Sequence, residues 1–400
     1  EGLYIPFLKL IEEGKVNETL MAMIRANSRL PVDTVGDTYS LAACNDVGCK
    51  RLSEMMSEFD LDDLDELGAH ICDRSEAAVK AEIAKLPKGS WTNTMITDGY
   101  DKPIELTATV TVTDDAITVD YTGTGAVAER GINVPLSYTT AYTVFGLACI
   151  VGSRIPNNAG SLAPFTVTAP EGCILNAPKP APVCSRHVLG QMLPDVVFGC
   201  LRQAIPDRVP AEGTSCLWNL NVRGKIKGGT GGNYGFSMAV TSNGGTGARP
   251  NSDGLSATAY PSGVKGTPVE IAEQITPLIF WRKEYRTGSG GAGRTRGGHG
   301  QVIELESRIG EPFELLAAFD RIEHPARGRD GGQNGASGYV GLKSGETFPG
   351  KGFLMVPSGE RLLVKTPGGG GLGDPAERDP AAIAYDREAG LDVPETEAAE

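Results

Sequence analysis

Three short motifs carry side chains that could perform chemistry: DYTGT, which begins at Asp120, the pair Asn157-Asn158, and the pair Arg186-His187. They place carboxylate, amide, guanidinium and imidazole groups near the ends of predicted strands or loops. Asp120 or His187 could act as a general acid or base, and Arg186 could hold a carboxylate or a phosphate. A structural interpretation is also open. Asp120 and the asparagines would then cap turns, and His187 would be a histidine with satisfied hydrogen bonds at a helix start.

The segment 152–195, which contains two of these motifs, is rich in proline. Each proline fixes its own φ and holds the preceding residue in an extended conformation. A constrained segment with a titratable pair near its end can form one wall of a binding site.

Glycine accounts for 53 of the 400 residues, about twice the usual share of roughly 7%. The segment 368–374, GGGGLGD, could turn N–H groups toward an anion, but it lacks the Gly-Lys-Ser/Thr ending of a phosphate loop. A tight, closely packed turn is predicted there.

The loop 288–300 combines seven glycines with Arg294, Arg296 and His299. It is predicted to be either a basic lid over an anionic group or a solvated connection between strands.

The remaining motifs give little support to other site classes. The four histidines, at positions 70, 187, 299 and 324, are far apart and form no H-x-x-x-H pattern, so no metal ligand is predicted in this chain. The sequence has no G-x-S-x-G elbow, which argues against a serine-triad hydrolase.

Hydrophobic periodicity predicts that residues 1–87 are mainly helical, 88–214 mixed and 215–378 rich in strands, followed by an acidic tail at 379–400. The predicted helices are 17–30, 37–67, 73–86 with Ser75 as its cap, 135–151, 188–204 interrupted at Pro194, and 379–389. The predicted strands are 91–97, 104–113, 116–121, 162–169, 216–222, 234–241, 301–309, 313–318, 352–356 and 361–365, with a hairpin turn at Asp114-Asp115. We therefore expect one α+β domain, in which a helical N-terminal region packs on a large mixed, glycine-turned β-sheet system.

The net charge, the length of the apolar runs and the cysteine spacing limit which partners and which cellular compartment are expected. The formal charge of −13 argues against nucleic acid or an anionic membrane as a partner. No apolar run reaches the roughly 18 residues of a membrane span. The eight cysteines form no C-x-x-C pair, and several lie in apolar surroundings. We therefore expect buried, reduced thiols in a cytoplasmic protein.

Taken together, the motifs resemble the hydantoinase B/oxoprolinase family over nearly the whole chain. The matching segments are EGLYIPFLKL at the start, SEAAVKAEIAKLPKGSW at 75–91, VDYTGTGAVAERGINVP at 119–135, IPNNAGSLAPFTVTAPEGCILNAPKPAPVCSRH at 155–187, GAGRTRGGHG at 291–300 and TPGGGGLGDPAERDP at 366–380. Several long motifs in the right order are a more specific signal than any single glycine run.

The resemblance implies a B-type subunit of an ATP-dependent cyclic-amide hydrolase that acts on hydantoin-like or 5-oxoproline-like rings. In that family, a partner A-type subunit similar to sugar kinases and actin takes up ATP and phosphorylates the carbonyl oxygen of the substrate. The B-type subunit receives the activated intermediate. Two alternatives stay open: a subunit of an ATP-dependent ketone carboxylase of the acetone or acetophenone type, and a non-catalytic scaffold that docks the ATPase subunit.

The resemblance also implies site residues. Residues of this sequence that match family motifs are Asp120, Gly123, Thr124, Asn133, Asn157, Asn158, Arg186 and His187. Of these, His187 and Asp120 are expected to be catalytic and the others to bind substrate. In the family, the segment before EGLYIP contains patterns like N-D-P-x-x-G-G-x-H-x-x-D and H-H-x-D that resemble a divalent-metal site. We therefore expect the metal ligands upstream of Glu1, and this chain to be a fragment whose N-terminal part is missing.

Overall fold

The computed structural model of the protein describes residues 5–28, 31–227 and 233–392. By its internal contacts the chain divides into two compact units, residues 1–74 and residues 75–400. The described residues form helices and several separate, mainly antiparallel sheets. The α+β class predicted from the sequence is therefore confirmed.

The first unit is largely helical. Its elements are β1 (Ile11–Glu12), β2 (Lys15–Val16), α1 (Glu18–Asn27), α2 (Pro31–Glu58) and the first part of α3 (Asp65–Ala84). Asn17 starts α1, because its side chain accepts a hydrogen bond from the N–H of Leu20 and so satisfies a free donor of the first turn. Helix α2 buries none of its residues. Its apolar residue Leu52 is 44% exposed, and Phe59, which follows the end of the helix, is 65% exposed.

The predicted start of the third helix is wrong. Helix α3 begins at Asp65 and not at Asp73, and the Asp63 carboxylate accepts the N–H of Asp65 at 3.0 Å. Ser75 consequently lies inside the helix and does not cap it. Its hydroxyl instead accepts a hydrogen bond from the amide nitrogen of Asn158 at 2.8 Å.

In the second unit, most predicted elements lie within a few residues of their expected bounds. The elements are β3 (Gly89–Thr97), β4 (Ile104–Val112), β5 (Ile117–Asp120), α4 (Leu136–Val151), α5 (Ala159–Leu162), β6 (Phe165–Thr168), α6 (His187–Gly190), α7 (Leu193–Leu201), β7 (Leu217–Lys227), β8 (Asn233–Asn243), α8 (Val269–Ile275), β9 (Leu278–Arg286), β10 (Gly300–Ser307), β11 (Phe313–Ala318), β12 (Tyr339–Leu342), β13 (Lys351–Val356), β14 (Arg361–Lys365) and α9 (Pro380–Glu388). The sequence patterns do not predict α5, α8, β9 or β12. Strand β9 lies at a sheet edge, and its charged second half, WRKEYR, obscures the apolar alternation of a half-buried strand.

Proline explains two further differences in bounds. The strand predicted from Leu162 starts only at Phe165, because Leu162 ends α5 and Pro164 has no N–H for a sheet hydrogen bond. The single interrupted helix predicted over 188–204 is two helices, α6 and α7. Pro194 lies in the first turn of α7, where a missing N–H costs nothing.

The first four-stranded sheet has the order β3-β4-β5-β6, and its β5–β6 pair is parallel. The predicted hairpin turn is confirmed, since β4 and β5 pair antiparallel and Thr113 donates its N–H to Ala116 at 2.9 Å. Buried residues alternate along β4, and helix α7 contacts β3 and β4. Hydroxyl pairs such as Thr92–Thr109, at 2.8 Å, line the exposed face between β3 and β4.

The other two sheets are antiparallel and have the orders β13-β11-β7-β8 and β12-β14-β10-β9. Their inward side chains belong to the same continuous group of buried residues as the first sheet. At the centre, Trp218 of β7 stacks on Phe319 with ring centroids 4.3 Å apart. A fully buried indole of this size anchors the surrounding side chains.

Four glycine-rich segments lie side by side outside the sheets; we call residues 244–248, 289–298, 326–336 and 366–373 the glycine bundle. Six consecutive N–H groups of the last segment donate to other parts of the chain at 2.8–3.0 Å. In order, Gly368, Gly369, Gly370, Gly371, Leu372 and Gly373 donate to the carbonyl oxygens of Ala336, Gly298, Glu212, Gln333, Thr295 and Arg329. Gly368 and Gly371 thus both donate to the segment 326–336, and Gly369 and Leu372 both donate to the segment 289–298, whereas Gly370 and Gly373 donate to different segments. For the first two pairs this matches the three-residue repeat of a polyproline II-type helix.

Glycine is required in the bundle because the backbones touch. A Cβ atom at Gly369 would lie against the carbonyl oxygen of Thr246, and one at Gly370 against that of Arg327. A backbone atom cannot rotate aside as a side chain can, so only glycine permits this approach, as at the axis of the collagen triple helix. The close packing predicted for 368–374 is confirmed, although the segment is the centre of a bundle and not an isolated turn.

Both interpretations of the loop 288–300 are wrong, because most of it lies inside the glycine bundle. Residues 297–300 are buried. The Arg296 side chain is only 13% exposed and pairs with Asp386 of α9 at 3.2 Å. Arg378 binds the same carboxylate at 2.6 Å. The predicted short helix of the acidic tail is therefore present, and it is tied to the bundle by buried ion pairs.

The cysteines are free thiols, as expected, but only some of them are buried as predicted. Cys173, Cys200 and Cys216 are buried, whereas Cys44, Cys49, Cys149 and Cys184 are exposed and Cys72 is half-buried. Two of the exposed thiols lie on α2, which has no buried face. Burial raises the pKa of the Cys200 and Cys216 thiols to about 12. Within the described residues, no helix has the length and apolar content needed to cross a membrane.

Backbone contact in the bundle predicts a large effect of a single methyl group. We expect Gly369→Ala to lower the free energy of unfolding by at least about 3 kcal/mol, at or beyond the upper end of overpacking costs, because the new Cβ meets the Thr246 carbonyl. Gly266→Ala is the matched control, since a Cβ there meets nothing within 4 Å. Denaturant unfolding of both variants tests this, and equal stabilities would contradict the steric explanation.

Candidate functional site

Asp120 and its neighbours hold the end of strand β5. The Asp120 carboxylate accepts hydrogen bonds from the N–H and hydroxyl of Thr122, at 3.2 and 3.0 Å, and from the hydroxyl of Thr168 at 3.2 Å. Thr124 exchanges hydrogen bonds with the backbone of Thr107 at 3.0 and 3.1 Å. Gly123 has a φ of 96°, which favours glycine. In this structure these groups stabilise a turn.

Asn133 is fully buried and links two of the family-like segments. Its amide group exchanges hydrogen bonds with the backbone of Ala128 at 2.8 Å and donates to the carbonyl oxygens of Arg130 and Pro182 at 3.0 and 2.9 Å. Ser185 also donates its N–H to the carbonyl of Gly131 at 2.7 Å. The structure therefore brings residues 128–134 and 182–187 together, and Asn133 positions the loop that leads to Arg186.

Asn158 is the N-cap of α5 and forms a capping box with Ser161, which is the structural alternative considered for the asparagines. Asn157 is exposed and lines a separate cavity of about 540 Å³ under α4. Neither asparagine shares a hydrogen bond with Asp120 or His187 in the described part of the chain. The eight predicted site residues are thus divided among three places in the second unit.

His187 begins α6 and contacts strand β7. Its Nε2 lies 3.3 Å from the amide nitrogen of Asn219, whose amide oxygen accepts the hydroxyl of Thr241 at 2.9 Å. Because that oxygen is occupied, the Asn219 nitrogen faces the ring and donates, so neutral His187 carries its proton on Nδ1. Burial, helped by the positive charge of Arg186, lowers the pKa of His187. The imidazole is therefore neutral at neutral pH.

Arg186 remains accessible beside His187. Its guanidinium carbon lies 5.4 Å from the ring centroid of Tyr138, and one N–H donates to the Val183 carbonyl at 3.3 Å. Stacking over an aromatic ring fixes the plane of a guanidinium and leaves its outer edge free to bind an anion. This is the arrangement expected of an arginine that holds a carboxylate or phosphate.

A cavity of about 320 Å³ lies between α4, α7 and the glycine bundle. Its lining includes Ile150, Asp195, Phe198, Arg208, Pro210, Ala211, Arg249, Pro250, Leu255 and Tyr260. Its volume is at the lower end of the roughly 300–1,000 Å³ typical of small-molecule pockets. The lining is mainly apolar, and its polar side chains are those of Cys149, Asp195, Arg208, Thr246, Arg249 and Tyr260.

Asp195 is the buried carboxyl group of this cavity, with only 2% of its surface exposed. Its Oδ2 accepts hydrogen bonds from the N–H of Gly213, at 3.1 Å, and from the hydroxyl of Ser215. Burial raises the pKa of Asp195 to about 6, and the nearby charge of Glu212 adds to this effect, against the opposing influence of Ser215, Arg321 and Gly213. A carboxyl group with such a pKa can exchange a proton near neutral pH.

Behind Asp195, Glu212 binds three arginines. Arg327 and Arg329 donate to Glu212 Oε1, each at 2.7 Å, and the guanidinium of Arg321 lies 3.6 Å from Oε2. Burial opposes ionisation of Glu212, but Arg321, Arg327 and Arg329 outweigh it and lower the pKa of Glu212. Arg321 also donates to the Gly213 carbonyl at 3.2 Å. The backbone that anchors Asp195 is therefore fixed by a buried ion cluster.

Asp195 is not among the predicted site residues, although its surroundings in the sequence are unusual. Asp195 is the single carboxylate in the apolar stretch VLGQMLPDVVFGCL, and an isolated charge among apolar residues is expensive to bury unless it has a function or partners. Tyr260 had no comparable signal. It follows a glycine-rich stretch and reaches the cavity only through the tertiary structure.

The model of the hydantoinase B/oxoprolinase family matches residues 1–375. The chain belongs to this family. The resemblance inferred from the motifs is confirmed. A relative in Methanocaldococcus jannaschii is 32% identical over 96% of this chain and 67% of its own length. The B component of a putative D-/L-hydantoinase from Pseudomonas sp. NS671 is 29% identical over 96% of this chain and 67% of its own length.

Among solved structures, the chain is similar to the ATP-dependent caprolactamase of Pseudomonas jessenii, to which it is 25% identical. It matches with a TM-score of 0.84 over 98% of this chain and 70% of its own. A nucleotide-free acetone carboxylase is 16% identical and matches with a TM-score of 0.77 over 98% of this chain and 59% of its own. At that identity the carboxylase shows the fold alone.

The described residues do not form a metal centre. They contain no group of three or more His, Cys, Asp or Glu side chains arranged to hold an ion. The divalent metal implied by the family resemblance therefore has no fitting donor set in this part of the protein.

The raised pKa of Asp195 predicts a pH-dependent difference between the protein and an Asp195→Asn variant. Its shift from 3.8 to about 6 corresponds to roughly 3 kcal/mol. Because the folded state holds the proton more tightly, this contribution is complete below about pH 4 and is lost as the pH rises through about 6. We expect the free energy of unfolding of the wild type, relative to Asp195→Asn, to fall by about that amount between pH 4 and pH 7.

Denaturant titrations of both proteins at several pH values measure this difference. Asp207→Asn, which changes an exposed carboxylate of the same unit, serves as the control. A difference between wild type and Asp195→Asn that stays constant with pH would show that the buried carboxyl group is not perturbed.

Proposed function

We propose that this chain is the B-type component of an ATP-dependent cyclic-amide hydrolase. The observation that carries the proposal is the likeness to the ATP-dependent caprolactamase over 98% of the chain at 25% identity. The relative named as the B component of a hydantoinase supports the same class of hydrolase. The proposed partner is an A-type ATPase subunit, which would bind ATP and phosphorylate the carbonyl oxygen of a small cyclic amide.

Phosphorylation of the carbonyl oxygen makes the amide carbon more reactive toward water. The amide carbon is a weak electrophile because the nitrogen donates electron density to it, whereas an O-phosphorylated amide accepts water readily. One water adds to the carbon and the ring C–N bond breaks, with the nitrogen leaving as an amine that takes a proton. A second water releases the phosphate from the resulting acyl phosphate. The sum is a cyclic amide, ATP and two waters giving an amino acid, ADP and phosphate.

Within this scheme we assign separate roles to the predicted site residues. Arg186 has a free guanidinium edge and is proposed to hold the phosphate of the intermediate. His187, neutral and half-buried, is proposed as the base, with its Nε2 exchanging the 3.3 Å hydrogen bond from Asn219 for the proton of the attacking water. Asn133 is proposed to position both residues through the loop it binds.

A catalytic role for Asp120, and substrate contact by Gly123, Thr124, Asn157 and Asn158, stay predictions. Their bonds in this structure are to turns and caps, so an indirect role in shaping the site fits them better. A divalent metal likewise stays a prediction, with its ligands outside the described residues.

We expect the chain, together with its A-type partner, to open a simple cyclic amide only when ATP is present. ADP release and the appearance of the ring-opened amino acid measure this. Each ring opened should release one ADP, independently of bicarbonate. Turnover of a ketone that requires bicarbonate would instead identify a carboxylase subunit. No turnover at all, with the partner bound and ATP hydrolysed, would favour a scaffold.

The role of the Arg186-His187 pair predicts a loss of turnover without a loss of folding. We expect Arg186→Ala to raise KM for the phosphorylated intermediate, and His187→Ala to lower kcat by about 100-fold or more, the usual contribution of a general base. Arg154→Ala changes an exposed arginine of the same proline-rich segment and is the matched control. Full activity of both test variants, with the fold intact, would assign this segment a purely structural role.

A further inference from the structure

Arg130 is an exposed arginine that binds no carboxylate among the described residues. Its guanidinium carbon lies 6.0 Å from the ring centroid of Tyr100, and its side chain forms no hydrogen bond or ion pair within the described ranges. Its backbone carbonyl accepts hydrogen bonds from the Asn133 amide at 3.0 Å and from the N–H of Ile132 at 2.8 Å. The chain has 50 acidic and 37 basic residues, so an arginine without a carboxylate partner is available for an anionic ligand.

Arg186 has the same arrangement. Its guanidinium carbon lies 5.4 Å from the ring centroid of Tyr138, and no carboxylate in the described part of the protein pairs with it. In both arginines the aromatic ring fixes the plane of the guanidinium, and an N–H edge remains free. Two like charges on one surface repel each other, and a bound dianion would remove that repulsion.

Hydrogen bonds between the two loops bring these arginines together. The Gly131 carbonyl accepts the N–H of Ser185 at 2.7 Å, and the Asn133 side chain donates to the Pro182 carbonyl at 2.9 Å. Residue numbers rise along one segment as they fall along the other, so the two segments run antiparallel. The residue before Gly131 and the residue after Ser185, which are the two arginines, therefore lie opposite each other.

The two segments also pack closely at this point. A Cβ atom at Gly131 would collide with the Sγ of Cys184, so a side chain there would push the segments apart. The separation of the two arginine backbones is therefore set by the packing of the loops and not by the arginine side chains.

We propose that Arg130 and Arg186 together hold the phosphoryl group of the reaction intermediate. A phosphoryl dianion offers three oxygens, and each planar guanidinium can donate two parallel N–H groups to them. This assignment rests on the proposed hydrolase function and adds Arg130 as a second phosphate-binding residue. The phosphoryl group is bonded through oxygen to the amide carbon, so holding it here places that carbon near His187, the residue that follows Arg186.

The other charged groups nearby do not oppose an anion. Lys351 approaches the Tyr100 ring, with its Nζ 5.6 Å from the centroid, but it already pairs with the buried carboxylate of Asp320. The charge of Asp320 is thereby balanced. Burial raises the pKa of Tyr100, so its phenol is neutral. Glu129 is exposed and forms no ion pair with Arg130.

The test uses two phosphate probes, inorganic phosphate and methyl phosphate, at about pH 8, where both are dianions. Isothermal titration calorimetry at fixed ionic strength measures their affinities for the full chain. Methyl phosphate represents a phosphoryl group bonded through oxygen to carbon, as in the intermediate. Wild type should bind one molecule of either probe per chain, and the two should compete. Binding of inorganic phosphate without methyl phosphate would overturn the assignment to the intermediate.

Variants of the two arginines locate the site. Arg130→Ala and Arg186→Ala should each weaken both probes at least about tenfold, the usual effect of losing a charged hydrogen bond. Arg130→Lys keeps the charge without the planar fork and should recover only part of that loss. Arg154→Ala removes the same charge from another exposed arginine and should leave both affinities unchanged.

Folding does not confuse this test, because the Arg130 side chain is exposed and the backbone bonds of residue 130 remain in the alanine variant. Circular dichroism of each variant checks this. Unchanged affinity of Arg130→Ala for both probes, with Arg186→Ala weakened, would overturn the proposal. An equal loss in Arg154→Ala would also overturn it, since binding would then follow net charge alone.

Activity separates this inference from the proposed function. If the probes and variants behave as expected but the complex with the A-type partner opens no cyclic amide, the function fails and the phosphate site stands. If the complex opens the ring and Arg130→Ala leaves kcat and KM unchanged, the function stands and the role of Arg130 fails.

Discussion

The centre of the second unit depends on direct contact between glycine backbones. In the glycine bundle, each N–H from Gly368 to Gly373 finds a carbonyl oxygen at 2.8–3.0 Å, and the acceptors come from parts of the chain far apart in sequence. Ordering glycine costs more conformational entropy than ordering any other residue. That cost is offset only when all the segments are in place, because each N–H is otherwise buried without a partner. The bundle is therefore expected to form as a unit, late in folding, when its distant segments have been brought together.

The bundle also fixes the candidate site. The backbone carbonyl oxygen of Glu212 accepts a hydrogen bond from the N–H of Gly370. The side-chain carboxylate of Glu212 binds three arginines. The next residue, Gly213, donates its N–H to Asp195. Thr246 contributes to the bundle and to the cavity wall. One side of the cavity is thus formed by backbone that cannot move without separating the glycine segments, and this rigidity is what a site needs in order to position a small ligand.

The hydrophobic alternation and the turn residues predicted those strands and turns that depend mainly on residues adjacent in sequence. The alternation along β4 and the Asp114-Asp115 turn follow from a few adjacent residues, and the strands and the hairpin formed where expected. The glycine bundle could not be predicted in this way. A stretch such as GGGGLGD has the same composition in a flexible loop, an anion-binding loop and a packed bundle, and the distinction lies in segments dozens of residues away. The site shows the same limit: Asp195 stood out as a charge in an apolar stretch, but Ser215 and Tyr260 reach it only through the tertiary structure.

Three of the buried polar residues of this unit, Glu212, His299 and Asp195, differ in how many of their polar atoms have hydrogen-bond partners. Glu212 is surrounded by cations and donors, so it has the character of a structural group. His299 has an unpaired Nε2, but it lies between bundle segments, and burial lowers its pKa to about 4, so it stays neutral. The carboxyl group of Asp195 accepts hydrogen bonds on one oxygen only in the described part of the chain, and this residue lines a cavity. A polar atom that lacks a hydrogen-bond partner within close-packed backbone destabilises the folded state permanently. A polar atom that faces a cavity can instead form a hydrogen bond with a ligand. That difference makes Asp195 a candidate for function.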